Sequence, residues 1–310
     1  MTLKVAIQMD PVHSIIPDKD STLLLATEAL HRGYKLYHYQ ANALTLYGGE
    51  VTVRGHHLTI EHGAKLKLGK QEVLNLANMN VVLMRQDPPF DMSYITATYI
   101  LEHIHPDTLV VNDPISVRNS PEKIFSMGME GLMPPTIITC DIDEIITFRE
   151  EHHDIVIKPL YGNGGAGVFH ITEEDENFYA LIELYTSMYK EQIVVQSYLP
   201  SIREGDKRII VIDGSPAGAI LRVPKKGDSR SNLHAGGIAK KANLDKRDNE
   251  ICNLIGPTLR KNGIIFAGID VIGGYLTETN VTSPTGLPQY KNLSGINLAK
   301  NFWNEAEKLK

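Results

Sequence analysis

The strongest constraint on this chain is a glycine run, Gly162-Asn163-Gly164-Gly165-Ala166-Gly167, that leads into a strand and not into a helix. The run satisfies G-x-G-x-x-G, but a dinucleotide fold needs such a loop to open a helix, so that pyrophosphate meets the helix N-terminus. Here Val168-Phe169-His170-Ile171 follows, an apolar, β-prone stretch without a helical period. No Gly-Lys-Ser/Thr follows either, which excludes a Walker A loop. What fits is a loop at the tip of a β-hairpin folded over nucleotide phosphates, where the missing Cβ lets backbone N–H groups approach phosphate oxygens. Lys158 ends the preceding strand and Pro159 stops its ladder, so a lysine emerges beside the loop to meet phosphate charge. The bland alternative is a solvated loop with an ordinary edge lysine. Lys123 is a second candidate for phosphate contact; taken alone it is a helix-surface lysine, and only its company raises it.

A second feature lies near the C-terminus. Ile269-Asp270-Val271 sets a carboxylate inside a strongly apolar strand, where an unpaired charge is expensive. Glu278 and Asn280, two apart in Leu276–Val281, share one face of a strand. Carboxylate and amide oxygens are hard ligands suited to magnesium. Register decides whether Asp270 joins them. A turn of only Gly273-Gly274 pairs Asp270 with Thr277, on the opposite face from Glu278. A three-residue turn over Gly273–Tyr275, or a bulge with the same effect, brings Asp270 opposite Glu278, and this arrangement is predicted. Taken in isolation, Glu278 and Asn280 also read as the polar face of a half-exposed hairpin.

The remaining pattern is consistent with three α/β or α+β units in series. Lys4–Met9, Lys35–Tyr39, Val81–Met84 and Leu109–Val111 read as strands. Helices are predicted at Ser21–Arg32, with Ser21 as N-cap and Gly33 beyond its end, and at Ser93–His103. That alternation predicts a parallel sheet covered by helices, with His56–Leu74 as a hairpin and connection. A boundary falls near Asn119, where Ser120 and Pro121 read as N-cap and first residue of a new helix. The predicted units are residues 1–119, 120–200 and 201–310. In the second and third, strands are placed at Thr136–Thr139, Ile155–Lys158, Val168–Ile171, Ile193–Gln196, Arg208–Ile212, Gly218–Val223, Ile264–Ile272 and Tyr275–Val281. A helix at Lys246–Arg260 and another at the chain's end complete the pattern.

Composition narrows the function classes. A length of 310 residues implies two or three domains, and 42% hydrophobic with 22% charged residues is a globular balance. A formal charge of −6 argues against a nucleic-acid or membrane-surface partner. No run approaches the ~20 apolar residues of a membrane span, the N-terminal apolar run is too short for a signal segment, and a cytoplasmic protein is expected. Cys140 and Cys252 form no CxxC pair and read as buried thiols of a reducing compartment.

These pieces resemble the ATP-grasp superfamily, and within it the prokaryotic type of glutathione synthetase. The shared stretches are Val82-Leu83-Met84-Arg85 with Asp87-Pro88-Pro89-Phe90-Asp91, Pro121-Glu122-Lys123, and Lys158-Pro159 with the glycine loop. They continue with Gln196-Ser197-Tyr198-Leu199-Pro200, Gly205-Asp206-Lys207-Arg208 and Thr277–Gly286, in the family's order over nearly the whole chain. The resemblance implies an ATP-grasp fold preceded by an N-terminal Rossmann-like domain. It implies a nucleotide between the second and third units, on Lys123, Lys158, Gly162, Asn163, Gly164 and Gly165, with Gln196, Ser197, Tyr198 and Leu199 as the adenine hinge and Asp206 toward the ribose. Arg208 and Arg222 would stabilise the transferring phosphoryl group, and Asp270, Glu278 and Asn280 would hold magnesium, or manganese in its place. Pro224–Gly237 looks like a mobile lid carrying Arg230 and Asn232 to substrate; Arg85, Ser283, Thr285 and Gly286 would complete the substrate pocket. ATP would phosphorylate the carboxylate of γ-glutamylcysteine, and the amine of glycine would displace phosphate. That chemistry needs positioning and charge neutralisation more than a protein nucleophile. His13, His170 and His234 are read as local hydrogen-bonding residues. A homo-oligomer, tetramer or dimer, is implied by family.

The chain departs from the family's habit at Tyr161, where aspartate is frequent, and at Ser197, where asparagine is. After Gly286 the likeness fades. An ATP-grasp ligase for D-alanine or glutamate would share the nucleotide and metal residues, so only substrate-side stretches separate it. A non-catalytic ATP-binding protein on the same fold would be expected to lose the metal carboxylates or Arg208, and neither is lost.

Overall fold

The computed structural model describes all residues except Met1, residues 62–64, Ser229, His234 and Ala235. The N-terminal part runs β1 (Lys4–Gln8), α1 (Ser21–His31), β2 (Lys35–Tyr39), β3 (Leu44–Tyr47), β4 (Glu50–Glu61), β5 (Lys65–Asn75), β6 (Val81–Met84), α2 (Met92–Glu102), β7 (Leu109–Val111) and α3 (Pro114–Asn119). Its sheet has the order β3-β4-β2-β1-β6-β7, with β5 on the far side of β4. Only β2, β1, β6 and β7 are parallel neighbours; β3, β4 and β5 pair antiparallel. The four predicted strands therefore pair in parallel, and the hairpin read at His56–Leu74 lies within the antiparallel β4–β5 pair. Between β2 and β4 the chain has no helix to make a parallel crossover, so β4 returns antiparallel.

The middle part contains α4 (Glu122–Met127), β8 (Thr136–Thr139), α5 (Ile142–His152), β9 (Ile155–Pro159), β10 (Phe169–Ile171), α6 (Phe178–Met188) and β11 (Ile193–Ser197), with strand order β10-β9-β11-β8. The last part contains β12 (Asp206–Ile212), β13 (Ser215–Val223), β14 (Ile238–Lys241), α7 (Lys246–Lys261), β15 (Phe266–Ile272), β16 (Tyr275–Asn280), α8 (Leu287–Ser294) and α9 (Leu298–Lys308), with order β14-β13-β12-β15-β16.

Several local expectations shift. Asp20, not Ser21, caps α1, accepting from the Leu23 N–H at 2.8 Å; its carboxylate reaches the orphan donor and leaves Ser21 as the first helical residue. Pro121 stands at the N-cap of α4 without a side-chain cap, and α3, unforeseen, ends at Asn119 just before it. Cys252 is buried as expected, but Cys140 is exposed, in the turn between edge strand β8 and α5.

One hydrophobic cluster joins the two ends of the chain. Val5, Ile7, Leu25 and Leu83 pack with Ile210, Phe266, Phe302 and Trp303. Trp303 is fully buried, donates to the Leu25 carbonyl at 2.9 Å and meets Tyr34 edge-on. α9 thereby covers the N-terminal sheet and fixes it against β12 and β15. Asn112 adds a polar clamp: its Nδ2 donates to the carbonyls of Phe266 (2.7 Å) and Val281 (2.8 Å), and its Oδ1 accepts from the Phe266 N–H (2.9 Å). The hairpin that carries the acidic cluster is held at its base by this amide.

Candidate active site

In the β15–β16 hairpin, Gly273 and Gly274 have φ of 57° and 82°, the two positive values of a type I′ turn. Pairing starts as Ile272 with Tyr275 and Val271 with Leu276, then slips so that Asp270 faces Glu278. Thr277 is the extra residue, its hydroxyl donating to the Asp270 carbonyl at 3.2 Å. The turn is the short one, and a bulge does what a longer turn would have done. Beyond it Asn280 pairs with Gly268, so Asp270, Glu278 and Asn280 share one face.

Cations converge on that face from neighbouring elements. Arg208 stands beside Asp270 across the β12–β15 ladder and grips it with Nε at 2.5 Å and Nη2 at 2.9 Å. Arg222, one strand further out, reaches Asp270 at 2.9 Å and also binds Asp206, its cross-strand neighbour. All four side chains are buried. Burial alone would raise the pKa of Asp270, but the two guanidinium groups outweigh it and hold the carboxyl well below the usual range. Lys123 arrives from α4, which is tied to β16 by Ser126 and Thr279 at 2.9 Å. Its amine meets Glu278 at 3.0 Å and the Gly162 carbonyl at 2.7 Å, so the presumed surface lysine is a buried link between the acidic face and the glycine loop. Lys158 bonds Gln196 at 2.7 Å, and burial pushes its amine down to about 8.

Between the glycine loop, the end of β11 and this face lies a cleft. It is lined by Lys123, Lys158, Gly162–Gly165, Gln196–Leu199, Asp206, Arg230, Asn232, Asp270 and Glu278. One carboxylate oxygen of Asp206 takes bonds from Arg222 and Ser231, while the other is buried without a partner. The loop is the predicted hairpin tip, since β9 and β10 pair antiparallel on either side of it. At Gly165, with φ of 83°, an added Cβ would stand 2.7 Å from Asn232 Oδ1, so the glycine loop lies against Asn232 there. At the end of β11, the N–H groups of Ser197 and Tyr198 donate to the carbonyls of Pro135 (3.0 Å) and Asp154 (2.8 Å). His170 stacks on Tyr198 and bonds Asp154 at 3.0 Å, a local role as read from the sequence. His234 lies outside the described residues.

The other substrate candidates lie apart from this cleft. Arg85 is buried beside Thr22 (3.0 Å) and the Pro284 carbonyl (3.2 Å), and its Nη1 has no hydrogen-bond partner. Ser283 donates to the Arg85 carbonyl at 3.3 Å, and the Thr285 carbonyl lies 3.5 Å from Arg208 Nη1. Gly286, φ 119°, caps α8. Arg208 therefore connects the two groups, with Asp270 on one side and the Thr285 carbonyl on the other. Sequence reading missed Ser231 and the carboxylate of Glu122, which accepts from Thr282 at 2.9 Å; its only signal was its place beside Lys123.

As a metal site the acidic face offers oxygen donors from two carboxylates and an amide. Asn280 donates through Nδ2 to Gly268 O (3.1 Å) and Asp270 (3.3 Å), leaving its own oxygen for a cation. Such a set fits magnesium or manganese whose shell is completed by phosphate oxygens and water.

The prokaryotic glutathione synthetase N-terminal domain family matches residues 3–118, and the prokaryotic glutathione synthetase ATP-grasp domain family matches residues 122–295. The chain is 52% identical over 309 residues to a glutathione synthetase of Mesorhizobium japonicum, covering 99% of both. It is 41% identical over 287 residues to one of Salmonella typhimurium, covering 91% of both. Among solved structures, a D-cycloserine synthetase aligns with a TM-score of 0.69 at 15% identity, over 99% of this chain and all of that one. A D-alanine–D-alanine ligase from Bacillus anthracis aligns with a TM-score of 0.60 at 13% identity, over 99% and 96%; these two show the fold alone. The chain belongs to the prokaryotic glutathione synthetase family and is an ATP-dependent ligase of the ATP-grasp fold.

Proposed function

We propose that the chain joins γ-glutamylcysteine to glycine through an acyl phosphate, with the residues around the cleft dividing the work. The observation that carries this reading is the convergence of Lys123, Lys158, Arg208 and Arg222 on a buried acidic face beside a glycine loop. ATP lies in the cleft, its phosphates under Gly162–Gly165 and against Lys123 and Lys158, its adenine at Gln196–Leu199, its ribose near Asp206. Asp270, Glu278 and Asn280 would hold Mg2+ or Mn2+, which when bound would neutralise phosphate charge and align the phosphates. Lys123, now on Glu278, would exchange that partner for a phosphate oxygen of the bound nucleotide. Arg208 and Arg222, fixed by Asp270, face the phosphoryl group as negative charge moves onto it. Arg85, Ser283, Thr285 and Gly286 hold the peptide, with the unpartnered Nη1 of Arg85 free for a carboxylate. Arg230 and Asn232, beside Gly165, cover the glycine loop and keep water from the acyl phosphate.

The units 1–119, 120–200 and 201–310 are retained as the domain division, supported by one sheet in each. No described helix is long and apolar enough to cross a membrane. A cytoplasmic homo-oligomer, acting on small molecules and without a nucleic-acid partner, remains the proposal. The reaction is tested by following ADP release with magnesium, γ-glutamylcysteine and glycine, against D-alanine or glutamate as acceptor. Turnover with glycine is expected, and turnover confined to D-alanine would overturn the substrate assignment.

A further inference from the structure

A second, smaller pocket adjoins the nucleotide cleft at its phosphate end, sharing Lys123, Gly162 and Asn163 with it. Its other walls come from Pro88 and Phe90 of the Asp-Pro-Pro-Phe loop, Glu122, Tyr161 and Thr282. Phe90 and Tyr161, from separate parts of the chain, stack at 6.0 Å across it. Glu122 is the acid of this pocket. Among the described residues its carboxylate accepts from Thr282 and forms no direct ion pair: Lys123 bonds Glu278 and the loop carbonyls, and Lys123 and Arg208 act on Glu122 only as nearby charges. A half-buried carboxylate with no direct ion pair can take one more cationic partner. What the pocket lacks is a small cation.

We infer that this pocket seats the primary ammonium group of an amino-acid substrate on Glu122, under the Phe90–Tyr161 stack. The inference rests on the ligase reading above. Two ammonium groups enter that reaction, one on the acceptor glycine and one on the glutamyl end of the donor. A pocket opening beside the phosphates, where the acyl group is activated, suits the acceptor. The Asp-Pro-Pro-Phe stretch then has a function that the nucleotide and metal residues do not share with it: Pro88 and Phe90 wall the seat.

The test is Glu122→Gln, which keeps the shape and the Thr282 contact and removes the charge. Loss of a charged partner is expected to raise the KM for one amino-acid substrate by at least about tenfold, while the KM for ATP stays within twofold. A rise for glycine assigns the seat to the acceptor, and a rise for γ-glutamylcysteine assigns it to the donor's amine. Unchanged KM values for both would overturn the inference. Hydroxylamine, uncharged at neutral pH, should still trap the activated carboxylate in the variant as efficiently as in the parent if the acceptor's ammonium is what Glu122 holds. Absence of that hydroxamate in the parent would instead overturn the acyl-phosphate reading. Thr282→Val, which frees the Glu122 carboxylate without removing it, should shift the same KM by a smaller factor; a shift in the KM for ATP alone would also count against the seat.

Discussion

Replacing Asn112 by alanine removes the amide that joins the N-terminal sheet to the base of the acidic hairpin. Three bonds are lost, from Nδ2 to the carbonyls of Phe266 and Val281 and from the Phe266 N–H to Oδ1. The site is 3% exposed, so water does not readily take their place. At about 1 kcal/mol or more for each bond lost with its partner left buried, the variant should lose at least about 3 kcal/mol. An unfolding entropy of roughly 2.1 cal/mol/K per residue gives about 0.65 kcal/mol/K for the whole chain, so the melting temperature should fall by about 5 °C. Differential scanning calorimetry on parent and variant reads this directly. Asn112→Asp is the informative companion. It keeps the acceptor for Phe266 but turns a negative oxygen on two carbonyls, and should melt no higher than the alanine variant. A melting temperature for Asn112→Ala within about 1 °C of the parent would refute the claim that this amide fastens the two parts.

Further outcomes concern the site. Lys158 has its amine at about 8 in the free protein, and phosphate favours the charged form, so ATP affinity should decline as pH rises through 8; binding at pH 8 should take up about half a proton, measured by calorimetry in buffers of different ionisation enthalpy. pH-independent binding between 7 and 9 would remove Lys158 from the phosphates. Glu278→Ala should reduce turnover by more than about 100-fold with an unchanged circular dichroism spectrum, and persistence of magnesium-dependent activity would end its metal role. Gly165→Ala introduces a Cβ in the left-handed region against Asn232, a strain of about 1–2 kcal/mol that should appear as a roughly five- to thirtyfold higher KM for ATP. Cys140 should react with a thiol reagent in the native protein, whereas Cys252, buried and pushed up to about 12, should react only on unfolding.

What the sequence disclosed was whatever depends on short spacing. The glycine loop followed by an apolar stretch announced the β9–β10 hairpin. Two adjacent glycines with carboxylates on either side required an irregular hairpin, and the Thr277 bulge supplies it. What stayed hidden depends on partners distant in the chain. Lys123 looks like a surface residue until α4 is laid on β16, and the grip of two arginines on Asp270 follows only from the order β13-β12-β15. Asn112 meets Phe266 and Val281 more than 150 positions away. α8 went unseen because its opening Leu-Pro follows a run of small and polar residues, and edge strand β14 because its exposed Ile238–Lys241 has no buried period.

The central claim is that the cleft activates a carboxylate as its acyl phosphate. The direct measurement is isotope transfer, with γ-glutamylcysteine labelled by ¹⁸O in the reacting carboxylate and turned over with ATP and glycine. One labelled oxygen should appear in inorganic phosphate for each ADP released. Unlabelled phosphate, or release of AMP and pyrophosphate instead of ADP, would contradict it.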